Sequence, residues 1–166
     1  TVWAYASASH RATELFDALA AVGKVQAADF HSHNLVNVVW AYAMMGHQAP
    51  ALYNALAIPA QALAAANQFR PSELATVAWA YAAAQHRSPA LFGAMADAAV
   101  AVVHDVEPQD LVLLLEAYAT AGHSSSALHE ALAQRVVMLA DGAKLAPSHI
   151  ATIAWALAMV GYPHEE

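Results

Sequence analysis

The sequence predicts an all-α fold, a superhelical α-solenoid of helix-turn-helix repeats of about 38 residues, and three observations lead there. The tetrad Trp-Ala-Tyr-Ala opens at Trp3, Trp40 and Trp79, with Glu-Ala-Tyr-Ala at Glu116 and Trp-Ala-Leu-Ala at Trp155, so that the anchors are spaced 37, 39, 37 and 39 residues apart. Ten residues before each of the last four anchors stands a large apolar residue, Phe30, Phe69, Val106 or Leu145. Seven residues after each of the first four stands a histidine, His10, His47, His86 or His123, replaced by Tyr162 in the last. A fixed period of this length marks stacked supersecondary units, and nowhere does the chain alternate as a strand does.

Each repeat reads as two helices. Pro71, Pro108 and Pro147 suit the first position of the first helix, where the missing N–H is not needed and φ is preset; Ser32 holds that place in the remaining copy. The helix should run to Gly46, Gln85, Gly122 or Gly161, where glycine fits a left-handed C-terminal cap. A short turn carries the repeated histidine, whose ring is expected to interact with the last carbonyls and the dipole of that helix. The second helix opens at Pro50 or Pro89, with Ser88 as an N-cap, and Leu-Tyr or Leu-Phe follows on one face. Its length should vary by two residues, which accounts for the alternating spacing, and Pro59 inside it should kink it. The expected organisation is one solenoid segment over 1–166, an excerpt of a longer array. Its repeats cover approximately 1–30 (truncated), 31–69, 70–106, 107–145 and 146–166 (truncated).

Composition narrows the function classes. Apolar residues make up 60% of the chain and charged residues 11%, against about 25% charged in ordinary soluble domains. Alanine supplies much of this excess, which implies close packing between helices. No run reaches the ~18 uninterrupted apolar residues of a spanning helix, so no membrane partner is expected. Without cysteine there are no disulfides, thiolate metal sites or cysteine nucleophiles. The net charge of −7 is the wrong sign for gripping a phosphate backbone by bulk electrostatics, although protonating the ten histidines would reverse it. His31 and His33 flank Ser32 but lack a third metal ligand. Ser124, Ser125 and Ser126 near His123 and His129 read as a turn and N-cap run rather than a nucleophile with its base. No phosphate-binding or dinucleotide fingerprint occurs. The expectation is a non-enzyme with no cofactor, no metal and no small-molecule substrate.

The segments HNLVNVVWAYAMMGHQAPALYNAL, PSELATVAWAYAAAQHRSPALFGAM and PSHIATIAWALAMVGY resemble the octotricopeptide repeat. The likeness lies in the proline-led first helix, the WAYA tetrad with its following Gly-His, and the Pro-x-Leu-aromatic start of the second helix. It covers essentially the whole chain. The resemblance implies a pentatricopeptide-like array in an organelle, mitochondrion or chloroplast, that binds single-stranded or ribosomal RNA at roughly one base per repeat. It implies roles in transcript stabilisation, processing or translation, or a place in an organellar ribosome.

Four sets of residues are candidates for that work. Trp3, Trp40, Trp79 and Trp155 are expected to be structural anchors packed between hairpins, so that Trp40→Ala would cost about 3–5 kcal/mol; stacking on bases is the alternative. The positions six and three before each anchor pair on one helix face: Asn34 and Asn37, Glu73 and Thr76, Asp110 and Leu113, His149 and Thr152. They vary while their surroundings stay constant, which suits base readout by stacked repeats; the alternative is an ordinary solvated face. Arg11 and Arg87 follow the repeated histidine and, with Arg70, are possible phosphate contacts. A basic groove built from these and Lys144 would favour RNA. An acidic or apolar one would favour the alternative function, a protein-protein scaffold within an organellar ribonucleoprotein assembly.

Overall fold

The computed structural model describes residues 13–142 and 144–161. Trp3, His10, Arg11 and Tyr162 lie outside the described residues. Among the described residues eight α-helices follow one another: α1 (Thr13–Val25), α2 (Ser32–Met45), α3 (Pro50–Ala65), α4 (Pro71–Ala83), α5 (Pro89–Ala101), α6 (Pro108–Ala121), α7 (Ser126–Asp141) and α8 (Pro147–Gly161). Proline opens five of them, and Ser32 is the first residue of α2. Among the described residues there is no strand.

The helices form two layers. The first helices of successive repeats, α2, α4, α6 and α8, pack against one another in order, and so do the second helices α1, α3, α5 and α7. Each helix therefore meets its counterpart in the neighbouring repeat, as stacking of an α-solenoid requires. Small residues make the first layer close. Ala41, Ala80, Ala117 and Ala156, the first alanine of every described tetrad, are at most 1% exposed, and Ala75, Ala78 and Ala82 are buried along α4. An alanine at a helix contact lets backbones approach and costs no side-chain entropy.

The alternating spacing has a simple structural origin. In the repeats with a 37-residue step the second helix has 13 residues and ends in a 3₁₀ turn, α1 with Ala27–Asp29 and α5 with Val103–Asp105. In the repeats with a 39-residue step it runs on as a 16-residue α-helix, α3 and α7. The sequence difference is absorbed at the far end of the second helix, so the tetrads stay in register. Helix α3 continues through Pro59; the proline removes one internal N–H without ending the helix.

Helix ends follow the glycine pattern with one departure. Gly46 and Gly122 adopt left-handed conformations, φ 60° and 62°. At Gly46 the N–H donates to the Ala43 carbonyl and the His47 N–H to the Tyr42 carbonyl, both at 3.0 Å, which is a Schellman closure. Gln85 takes the same conformation at φ 52°, with the same pair of bonds to Ala82 and Tyr81, although a side chain there costs about 1–2 kcal/mol. The Ser88 hydroxyl makes no cap bond to α5, contrary to expectation, whereas Ser125 accepts from the Leu128 N–H at 3.3 Å.

A candidate RNA-facing surface on the first helices

The tetrad divides its labour in a way the sequence reading misassigned. Tyr42, Tyr81 and Tyr118 are at most 1% exposed, and each hydroxyl donates to a backbone carbonyl of the preceding second helix: Phe16 at 2.7 Å, Tyr53 at 2.9 Å and Phe92 at 2.7 Å. The same residues meet edge to face, with centroids 5.1, 5.0 and 5.2 Å apart. Burial raises the phenol pKa of all three tyrosines, that of Tyr42 to about 12, with Asp17 adding to it there. They stay neutral donors, and they are the anchors.

The tryptophans are less enclosed, although Trp79 packs against the core. Trp40 and Trp79 are only half-buried, and Trp155 is 46% exposed. The indole stands one residue, about 100° of helix, away from the buried alanine, so it lies on the edge of the packed face. The cost of removing it should fall below that of a core deletion.

The histidines also do something other than expected. Their backbone N–H groups close the first helix, but the rings reach to the preceding hairpin. His47 packs on Phe16 and Tyr42, His86 stacks on Tyr53, and His123 packs on Phe92. His47 Nε2 lies 2.8 Å from Asp17 Oδ1, and His86 Nε2 lies 3.0 Å from Asn54 Oδ1. Burial lowers the His86 pKa. Sequence reasoning missed this partner column, which continues as Gly93 and Glu130. Its signal was one residue after the Leu-aromatic pair.

The eight stripe residues separate into two columns with different duties. The first column, six before the anchor, is the third residue of its helix, where a side chain can reach back to the N-cap N–H. Glu73 does so: the Arg70 N–H donates to Glu73 Oε2 at 3.0 Å and Arg70 Nη2 to Oε1 at 3.1 Å. The Glu73 side chain is only 9% exposed, so its assignment as a base reader is corrected to a helix cap. His149 acts likewise, its Nδ1 accepting from the Ala146 N–H at 3.3 Å. Asp110 is half-buried, and burial together with the Glu107 charge raises its pKa. Asn34 is exposed.

The second column, Asn37, Thr76, Leu113 and Thr152, is half-exposed in every repeat. Thr76 and Thr152 donate their hydroxyls to the Ser72 and Ser148 carbonyls one turn back, leaving a methyl and an acceptor lone pair outward. Asn37 shares a 3.0 Å bond with His33. Of the stripe, Thr152 lines a shallow depression of about 400 Å³ with Ala151 and Trp155 of α8 and the anchor-position Glu116 of α6. No lysine or arginine belongs to the stripe, while Glu73 and Asp110 do. Arg70 pairs with Glu73 at the helix start, and Arg87 lies at the opposite end in the turn after α4. His31 and His33 are exposed, and no group of metal-binding side chains occurs among the described residues. Among the described residues no helix is long and apolar enough to cross a membrane.

Helical hairpins stacked in two layers define a helical-repeat protein. A family profile described as RNA-editing substrate-binding complex 6 protein matches residues 1–166. The chain belongs to that family, whose name ties it to an RNA-associated assembly. No match was found among curated proteins.

Proposed function

We propose that this chain is a non-catalytic helical-repeat module that binds single-stranded RNA across its first helices, as part of an organellar RNA-processing assembly. Membership of a family named for an RNA-editing substrate-binding complex carries the reading. The second column, Asn37, Thr76, Leu113 and Thr152 with the adjoining indoles of Trp40, Trp79 and Trp155, supplies the surface. Half-exposed tryptophans offer stacking platforms, and base–aromatic stacking contributes about 1–3 kcal/mol per base. The repeats are of octotricopeptide type in this reading, and the mitochondrion or chloroplast is the compartment that type implies.

The test is an anisotropy titration of labelled single-stranded RNA at low salt. Asn37→Ala, Thr76→Ala and Thr152→Ala combined should weaken binding at least tenfold, which corresponds to about 1.4 kcal/mol. Failure of every RNA pool to bind the unaltered chain would sink the proposal.

A second reading, a protein-protein scaffold within the assembly, is favoured by the net charge of −7 and the scarcity of lysine and arginine. Protein partners that survive thorough nuclease treatment would support it, and both roles can serve one assembly.

A further inference from the structure

The geometry points to a phosphate-binding cleft between the turns that follow α4 and α6, on an edge of the array separate from the stripe. The cleft measures about 400 Å³ and is lined by Gln85, His86, Arg87, Ser88, Thr120 and His123, along with apolar residues of α4, α5 and α6. No carboxylate lines it, in a chain that carries 13.

One of its lining rings, that of His123, lacks the partner that its counterparts have. His47 and His86 are each satisfied by a side chain of the preceding second helix, Asp17 or Asn54. The corresponding residue of α5 is Gly93, which has no side chain to offer. His123 therefore packs on Phe92 with its ring centroid 5.6 Å away but has no hydrogen-bond partner among the described residues. A Cβ placed on Gly93 would meet nothing within 4 Å, so a side chain has room at this position.

The donors present suit a phosphate group. Arg87 supplies a planar fork matched to two phosphate oxygens. His123 supplies a ring N–H that nothing else claims. Ser88 has a hydroxyl unused for capping, and the start of α5 at Pro89 puts the positive end of its dipole at the cleft wall. The turn after α2 lacks this set: glutamine occupies the position of Arg87, as Gln48, and Asp17 stands beside His47. Phosphate chemistry is shared by an RNA strand and by a free phosphate monoester, and the cleft would hold either without any base being read by the stripe.

The test follows the histidine and arginine side-chain NMR signals of the full chain during titration with inorganic phosphate at fixed ionic strength, with chloride as the reference salt. His123 and Arg87 should shift in the unaltered protein. Gly93→Asp, which recreates the Asp17 arrangement and puts a negative charge in the cleft, should weaken phosphate binding roughly tenfold or more, the size expected when a charge-assisted bond is lost. Arg87→Gln should do the same, and Gly93→Ala, which adds only a methyl in open space, should bind as before. Thermal melts of Gly93→Asp and Gly93→Ala check that both remain folded.

A parallel titration with single-stranded RNA lacking terminal phosphates identifies the source. If Gly93→Asp weakens RNA as well, a strand phosphate occupies the cleft; if RNA is unaffected while phosphate binding is lost, the cleft takes a free phosphate monoester. Either result supports the site. Absence of shifts with phosphate, or equal binding by Gly93→Asp and the unaltered chain, overturns it. RNA binding that persists in that case leaves the stripe proposal standing, whereas phosphate binding without RNA binding removes the stripe and keeps the cleft.

Discussion

The turn after α2 and the turn after α6 are built from the same rings. In each, a buried tyrosine donates its hydroxyl to the carbonyl of a phenylalanine in the preceding second helix, and a histidine packs against both. Gly46 and Gly122 close the two first helices with the same left-handed geometry. The junctions differ at one position. Asp17 reaches His47 at 2.8 Å, while Gly93 offers no acceptor to His123, which lines the cleft. The tyrosine, phenylalanine and glycine keep the repeats stacked, and the position after the aromatic is free to vary because its side chain adds little to stacking. Variable function can be placed there without disturbing the fold.

Four changes break or sharpen that comparison. The shared rings should matter equally on both sides: Tyr42→Ala and Tyr118→Ala should each cost about 3–5 kcal/mol, as for other large core deletions, measured by chemical denaturation. A large difference between them would show that the two junctions are not equivalent frameworks. Between them lies Gln85, which holds the left-handed position without being glycine; Gln85→Gly should stabilise by about 1 kcal/mol, read as a rise in Tm. The variable position should matter least to stability. Asp17→Ala should cost less than about 1 kcal/mol, because the carboxylate is largely exposed and such pairs are weak; a loss comparable to that of the tyrosine would contradict the division of labour.

The smallest effect concerns pH. Burial lowers the His86 pKa below its ordinary 6.5, so the folded state favours the neutral ring and the unfolded chain takes up the proton first. The contribution of His86 is therefore complete above about pH 6.5 and is lost as pH falls below it. Melting curves of the unaltered chain and of His86→Gln, taken at neutrality and near about pH 5, should converge at the lower pH.

Much of the fold was legible in the sequence, since the spacing of the tetrads and the prolines at helix starts are local signals. Proline at the first turn and glycine at the left-handed cap state their geometry in their own covalent structure. The roles inside the tetrad were not legible. A tryptophan is the larger apolar side chain and invites a core assignment, yet which of four consecutive helical residues faces the neighbour depends on helix rotation, which the repeat period does not contain. The first stripe column was misjudged for a related reason: Glu73 and His149 vary as a readout column would, but their place three residues into a helix gives them a capping duty. Arg87 was legible as a phosphate contact, but its convergence with His123 on one cleft was not, because the two stand in turns of successive repeats.

The central claim is that RNA lies along the first helices. Photo-crosslinking of thiouridine-containing single-stranded RNA to the chain, followed by mass spectrometric mapping, tests it most directly. The account predicts adducts on α2, α4, α6 and α8, concentrated at Asn37, Trp40, Thr76, Trp79, Thr152 and Trp155. Adducts confined to the second helices α1, α3, α5 and α7 would contradict it.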